Sequence, residues 1–120
     1  MEDLKKETIG VVRGYTYTKE FWDFLNRNKY EEVTDDDSNF RKMVLGRINV
    51  LVAEEANGYM IAKNMNFKVK PLGTPITTMG LYIIFNRKSV DANFMQSFTD
   101  KLKAFKKTPE YKALVQKYLK

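Results

Sequence analysis

The stretch Ile9-Gly10-Val11-Val12-Arg13-Gly14-Tyr15-Thr16-Tyr17 constrains the fold more than any other part of this 120-residue chain. An apolar run of strand character ends there in a glycine turn and opens directly onto a helical pattern. In an α/β sheet that junction lies at the carboxyl end of a strand, where ligands bind. It also offers backbone N–H groups at a helix start, which suit a carboxylate or another anion. Gly10-Val11-Val12-Arg13-Gly14 is not a G-x-G-x-x-G pattern, and no P-loop lysine follows its last glycine. A second block, Gly46-Arg47-Ile48-Asn49-Val50-Leu51-Val52-Ala53-Glu54-Glu55, sharpens the reading, because another apolar strand ends there in acids. A turn that favours an anion and a carboxylate that favours a cation, both at strand ends, can together hold a zwitterion.

The length fits one domain that buries roughly two-thirds of its unfolded surface. Hydrophobic residues make up 43% of the chain and charged residues 30%, as in an ordinary globular protein. No uninterrupted apolar run reaches the roughly 20 residues of a membrane span. The start Met1-Glu2-Asp3-Leu4-Lys5-Lys6 has no apolar signal-peptide core, which fits a cytoplasmic protein or a segment of a longer exported one.

Cysteine is absent, which removes disulfides, zinc–thiolate sites and thiol nucleophiles. Histidine is absent too, so no His-based triad exists and only carboxylates remain for hard metals, without EF-hand spacing. Neither a metal nor a cofactor is expected. Glu54 and Glu55 read as a general acid/base pair lack any nucleophile or leaving-group partner, so the chain is expected not to be an enzyme. The net charge of +6 gathers near the end, where residues 100–120 hold seven lysines against Asp100 and Glu110. Those lysines fall on the polar faces of two amphipathic helices, and no nucleic-acid-binding signature accompanies them. Nucleic acid is therefore not an expected partner.

Short apolar runs alternate with helical patterns in the first half, the mark of βαβ units and a parallel sheet. Strands are expected at Thr8–Arg13, Tyr30–Thr34 and Ile48–Ala53. A helix runs from Thr18 to about Asn28 with Phe21, Trp22, Phe24 and Leu25 inward. Asp35-Asp36-Asp37-Ser38 supplies caps and solvated charge for a second helix, whose inner face reads as Phe40, Met43 and Val44 and which Gly46 ends. A short helix spans Ala56–Lys63. Pro71, Gly73 and Pro75 punctuate a connection. Gly80–Asn86 then reads as a strong strand. Ser89 caps a helix with Val90, Phe94, Phe98, Leu102 and Phe105 on one face. Thr108-Pro109-Glu110 starts a last helix with Tyr111, Leu114, Val115, Tyr118 and Leu119 aligned.

Four blocks in this order resemble the C-terminal half of an amino-acid-type extracytoplasmic solute-binding protein, the binding subunit of ABC importers. They are Asp3-Leu4-Lys5 with Ile9–Gly14, Gly46–Glu55, Leu81-Tyr82-Ile83-Ile84-Phe85-Asn86-Arg87-Lys88-Ser89, and Phe105–Tyr111 with the tail Gln116–Leu119. The resemblance covers nearly the whole chain. It implies an α/β fold of three layers around a mainly parallel sheet, one lobe of the type II periplasmic binding protein fold. Residues 1–78 would be the second lobe without its first strand. Residues 79–120 would be the strand and two helices that return to the first lobe, packing with the same unit or a partner chain. An open sheet edge follows, and Gly80–Asn86 would fill it within the chain or from a second copy by swapping into a homodimer.

The resemblance further implies binding of a small amino-acid-like ligand by hinge closure, partnership with an ABC permease, and a periplasmic location. Gly14, Tyr15, Thr16 and Tyr17 match the turn that contacts the ligand carboxylate, and Glu54 matches the acid that pairs with its α-amino group. Two positions depart from the family pattern. Tyr15 stands where Thr or Ser is common and Glu54 where Asp is usual, and both take space from a small ligand. Lacking the other half, the chain is expected to bind weakly. The residues also admit a structural reading, with Thr16 or Thr18 capping the helix, the tyrosines covering core edges and Glu54 in a solvated helix start. The alternative function is the ligand-sensing, dimerising lobe of a receptor such as a sensor kinase. A kinase domain or membrane segment in the parent gene would favour it, and a neighbouring permease gene the importer.

Overall fold

The computed structural model describes residues 2–119, without the side chains of Glu2 and Leu119. The expected place of Leu119 on an apolar face therefore lies outside the described residues. The chain divides into two units, Met1–Thr78 and Met79–Lys120.

The first unit is α/β. After a 3₁₀ turn over Glu2–Leu4 come β1 (Ile9–Val12), α1 (Lys19–Leu25), β2 (Tyr30–Val33), α2 (Asp36–Val44), β3 (Val50–Leu51) and α3 (Glu55–Asn64). The three strands are parallel in the order β2-β1-β3, with Ile9 opposite Tyr30 on one side and Val50 on the other. Parallel pairing follows from the helical crossovers that the β–α alternation supplies. Central β1 is buried along its length, whereas β2 exposes Tyr30, Glu31 and Glu32. The β3 ladder is shorter than the Ile48–Ala53 run, although Val52 N–H still donates to Gly10 O at 2.9 Å.

Helices cover both faces. Phe21, Phe24 and Leu25 of α1 close over Ile9 and Val11, with Leu4, Tyr17 and Trp22 at the margin. Across the sheet, Phe40 of α2 packs with Ile61 and Ala62 of α3 against Leu51 and Ala53. Gly10 belongs to this second face. A methyl group there would overlap Asn39 Oδ1 and come within 2.5 Å of Ile48 Cδ1, so α2 lies against bare β1 backbone.

Local chemistry fixes the helix ends. Gly46 is left-handed (φ 68°), and paired bonds from Arg47 N–H to Lys42 O and from Gly46 N–H to Met43 O close α2 in a Schellman motif. Asn66 (φ 50°) ends α3 in the same way, through Phe67 N–H to Ala62 O. The inner face of α2 is displaced from the expected one. Asp36, Asn39 and Phe40 are buried, while Val44 is exposed.

The second unit corrects one expectation outright. Gly80–Asn86 belongs to no strand, and Leu81, Tyr82 and Ile84 are 95%, 86% and 91% exposed. β-branched and aromatic side chains make a strand only when a neighbouring backbone takes up the ladder bonds. The described residues of Met79–Lys120 contain no other strand. Next come α4 (Ala92–Phe105) and α5 (Pro109–Leu119). Asp91, not Ser89, caps α4, accepting from Phe94 N–H at 2.8 Å, so Val90 precedes the helix. Thr108 Oγ1 accepts from Tyr111 N–H at the start of α5. Phe85 stands edge-on to Phe94 and Phe98, and Phe105 to Tyr111. No described side chain of this unit is buried. Among the described residues, no helix is long and apolar enough to cross a membrane.

Candidate functional site

With the order β2-β1-β3, the connections from β1 and β2 leave in opposite directions, so the topological switch point lies between the carboxyl ends of β1 and β3. Gly14–Tyr17 follows β1 and Glu54 follows β3, which puts both expected blocks at one edge of the sheet.

The β1 turn is closed by Tyr15 N–H donating to Val12 O at 3.3 Å, with Gly14 at φ 81°. That is type II turn geometry, which reserves this position for glycine. A Cβ on Gly14 would meet nothing within 4 Å, so conformation alone requires the residue. Past the end of the short β3 ladder, Val12 N–H is taken by the Tyr17 hydroxyl at 3.2 Å. Tyr17 is half-buried and stands edge-on to Phe21 and Trp22 at 5.5 Å. Burial raises its phenol pKa, partly offset by that backbone bond. Tyr17 thus works on the core side of the turn. Thr18, rather than Thr16, caps α1, its Oγ1 accepting from Phe21 N–H at 3.2 Å. Thr16 is exposed.

Glu54 caps its own helix. Its Oε1 accepts from Ala56 N–H at 3.0 Å and its Oε2 from Asn57 N–H at 2.8 Å, satisfying two of the amides that a helix start leaves free. The acid expected to face a ligand amine is therefore engaged at both oxygens.

Tyr15 points elsewhere. Its hydroxyl donates to Asp36 Oδ2 at 2.9 Å, and Asn57 Nδ2 donates to the same oxygen, also at 2.9 Å. Asp36 is the first residue of α2 and only 7% exposed. The turn after β1, the helix after β2 and the first turn of the helix after β3 thus meet at a single carboxylate. The hydrogen bond to Asp36, reinforced by burial, holds the Tyr15 phenol above its ordinary pKa. Asp36 Oδ1 has no hydrogen-bond partner, and neither does Asn39 Oδ1 or Nδ2, although Asn39 is fully buried.

Sequence reasoning missed Asp36, Asn39 and Asn57. It read the aspartate run as caps and solvated charge, which holds for Asp35, the acceptor of Ser38 N–H at 2.7 Å, and for exposed Asp37. The available signal was helical spacing, because Asp36, Asn39, Phe40 and Met43 fall on one face. Each unit carries a surface hollow, and none of Gly14–Tyr17, Asp36, Glu54 and Asn57 lines the one in the first unit. One of about 320 Å³ is lined by Met43, Ile48, Asn49 and Phe67, and one of about 300 Å³ by Lys106, Tyr111 and Val115. Among the described residues, no three acidic side chains gather in a way that could hold a metal ion. No protein-family model, curated protein or solved structure matches this chain.

Proposed function

We propose that residues 1–78 are the second lobe of an amino-acid-type solute-binding protein and residues 79–120 the segment returning to its first lobe. In this reading the whole captures a small zwitterion outside the cytoplasm, without catalysis, and delivers it to an ABC permease by hinge closure. The observation that carries the reading is the convergence of Tyr15, Asp36 and Asn57 beside the β1/β3 switch point, where α/β sheets take ligands. The second unit supports it independently. Two amphipathic helices and an apolar run without one buried side chain among the described residues suit a segment whose packing surface belongs to another body.

One lobe touches a ligand from one side only and leaves it half-hydrated. The chain by itself therefore binds with a Kd of about 1 mM or weaker. Heteronuclear NMR of the full chain, titrated with each common L-amino acid, tests this. The expected result is a saturable shift confined to Gly14–Tyr17, Asp36 and Ala56–Asn57 for at least one of them. No such shift for any amino acid overturns the reading, and micromolar affinity overturns the one-lobe account.

A further inference from the structure

We propose that Asp36, rather than Glu54, is the carboxylate that receives the ligand's primary ammonium group, with the Tyr15 hydroxyl as a displaceable cover over it. The proposal rests on the solute-binding reading and names the acid that reading needs.

The two acids at this edge differ in what their oxygens have left to offer. Glu54 spends one oxygen on each of two amides of α3, so drawing it to a ligand would strip the helix of its cap. Asp36 instead receives both of its donors on Oδ2 and none on Oδ1, in a side chain more than nine-tenths buried. Among the described residues Asp36 joins no ion pair. A buried carboxylate oxygen without a donor is costly, and neutral partners compensate its charge less well than a cation. Exchanging the Tyr15 hydroxyl for an ammonium brings three N–H donors and a full positive charge to this carboxylate.

The route to it is short. Tyr15 sits on the β1 turn, is 46% exposed, and takes part in none of the ring–ring contacts that fix Tyr17. Rotation of that one side chain frees an acceptor site on Asp36 Oδ2, while Asn57 Nδ2 keeps the carboxylate oriented. Asn39, about one helical turn further along α2, has neither polar side-chain atom hydrogen-bonded and adds to the polar, under-satisfied character of this face.

Propylammonium chloride, with sodium acetate as the anionic comparison, is titrated into the full chain while the Asn57 side-chain amide is followed by NMR. Propylammonium is expected to give a saturable shift and acetate none. Tyr15→Phe removes the competing hydroxyl and should tighten binding by about two- to tenfold. Asp37→Asn should leave affinity unchanged. Asp36→Asn should abolish the response with β1 and β3 resonances in place, and should bring the Tyr15 phenol titration back down. If Asp36→Asn fails to fold, Tyr15→Phe decides alone. Weaker binding by Tyr15→Phe, or loss in Glu54→Gln with retention in Asp36→Asn, overturns the proposal. A chain that answers amino acids at Gly14–Tyr17 but ignores propylammonium refutes this assignment alone. A chain that answers neither refutes the solute-binding reading with it.

Discussion

Gly10→Ala is the sharpest test of how α2 sits on the sheet. The added methyl would overlap Asn39 Oδ1, lie 2.9 Å from Asn39 Cγ and lie 2.5 Å from Ile48 Cδ1. Carbon–carbon contacts settle at about 3.5–4.0 Å, so something must move by roughly 1 Å. The Ile48 methyl is the end of a flexible side chain and can rotate away. Asn39 cannot, because it is fully buried and its neighbour Phe40 anchors α2 in the core. Overpacking of this kind costs about 1–3 kcal/mol. Alanine's smaller unfolded-state entropy returns about 0.4–1 kcal/mol. The net expectation is a loss of about 1–2 kcal/mol, against a total of about 4–12 kcal/mol for a unit of this size. Asn39→Ala alone should be nearly neutral, since losing packing is offset by removing an amide that has no partners. Combined, the two changes fit each other, and the double-mutant cycle should show favourable coupling of about 1–2 kcal/mol. Urea denaturation of the full chain reads this out through Trp22, the sole tryptophan, which packs against the α1 face of the core. A neutral Gly10→Ala, or strictly additive variants, would refute the close approach of Asn39 to the β1 backbone.

Glu54→Ala should cost about 1 kcal/mol in the same assay through loss of the α3 cap, and an unchanged midpoint would show the cap to be idle. The Asp35 carboxyl lies below the usual carboxylate range, chiefly because it accepts Ser38 N–H, with the Ser38 and Thr34 side chains adding to the effect. Its folded pKa is thus below the unfolded value of about 3.9, so its stabilisation is present above that pH and lost as pH falls through the folded pKa. Asp35→Ala should be less stable than the parent at neutral pH and converge with it in acid; a gap that persists unchanged in acid would refute this. Amides of Leu81–Phe85 should exchange with solvent orders of magnitude faster than those of β1, because none of their side chains is buried. Light scattering after size exclusion tests pairing of that run with a second copy, and a monomer at every concentration counts against it.

The parallel α/β arrangement was legible because β1 is so apolar that it must be covered on both faces, and because Gly14 and Gly46 mark turns that other residues resist. Helix starts were readable to within a residue or two at Thr18 and Asp35, whose side chains act on their own local backbone. What escaped were features decided across the fold. Asp36 looks like its neighbours Asp35 and Asp37 in sequence. Only the hydrogen bonds it receives at 2.9 Å from Tyr15 on the β1 turn and from Asn57 in the first turn of α3 set it apart. Glu54 follows β3 as its place after the apolar run implies, yet its longer arm folds back onto the amides of α3. Gly80–Asn86 carries the strongest strand composition in the chain and forms no strand. Composition describes what a strand surface prefers, whereas the ladder depends on a partner edge that local sequence does not contain.

That missing edge also says what kind of surface would complete the second unit. Residues 79–120 hold nine basic and three acidic side chains, which equals the whole net charge of the chain and leaves residues 1–78 neutral overall. Leu81 and Ile84 stand almost wholly in water, at about 1.5–3 kcal/mol of forgone burial for each, and Phe94 and Leu114 remain about half exposed. Forty-odd residues with no buried side chain among those described do not offset their own ordering entropy, since chains this small ordinarily need a disulfide, a metal or association with another body. Cysteine and histidine are absent, so association is what remains. The solute-binding reading therefore requires a first lobe with specific properties: an open strand edge for the backbone of Leu81–Phe85, an apolar floor for α4 and α5, and a rim with more acidic than basic side chains. A companion half that gives exchange protection to Leu81–Phe85 and to the amides of α4 and α5 on mixing, and does so less well as salt is raised, would have all three.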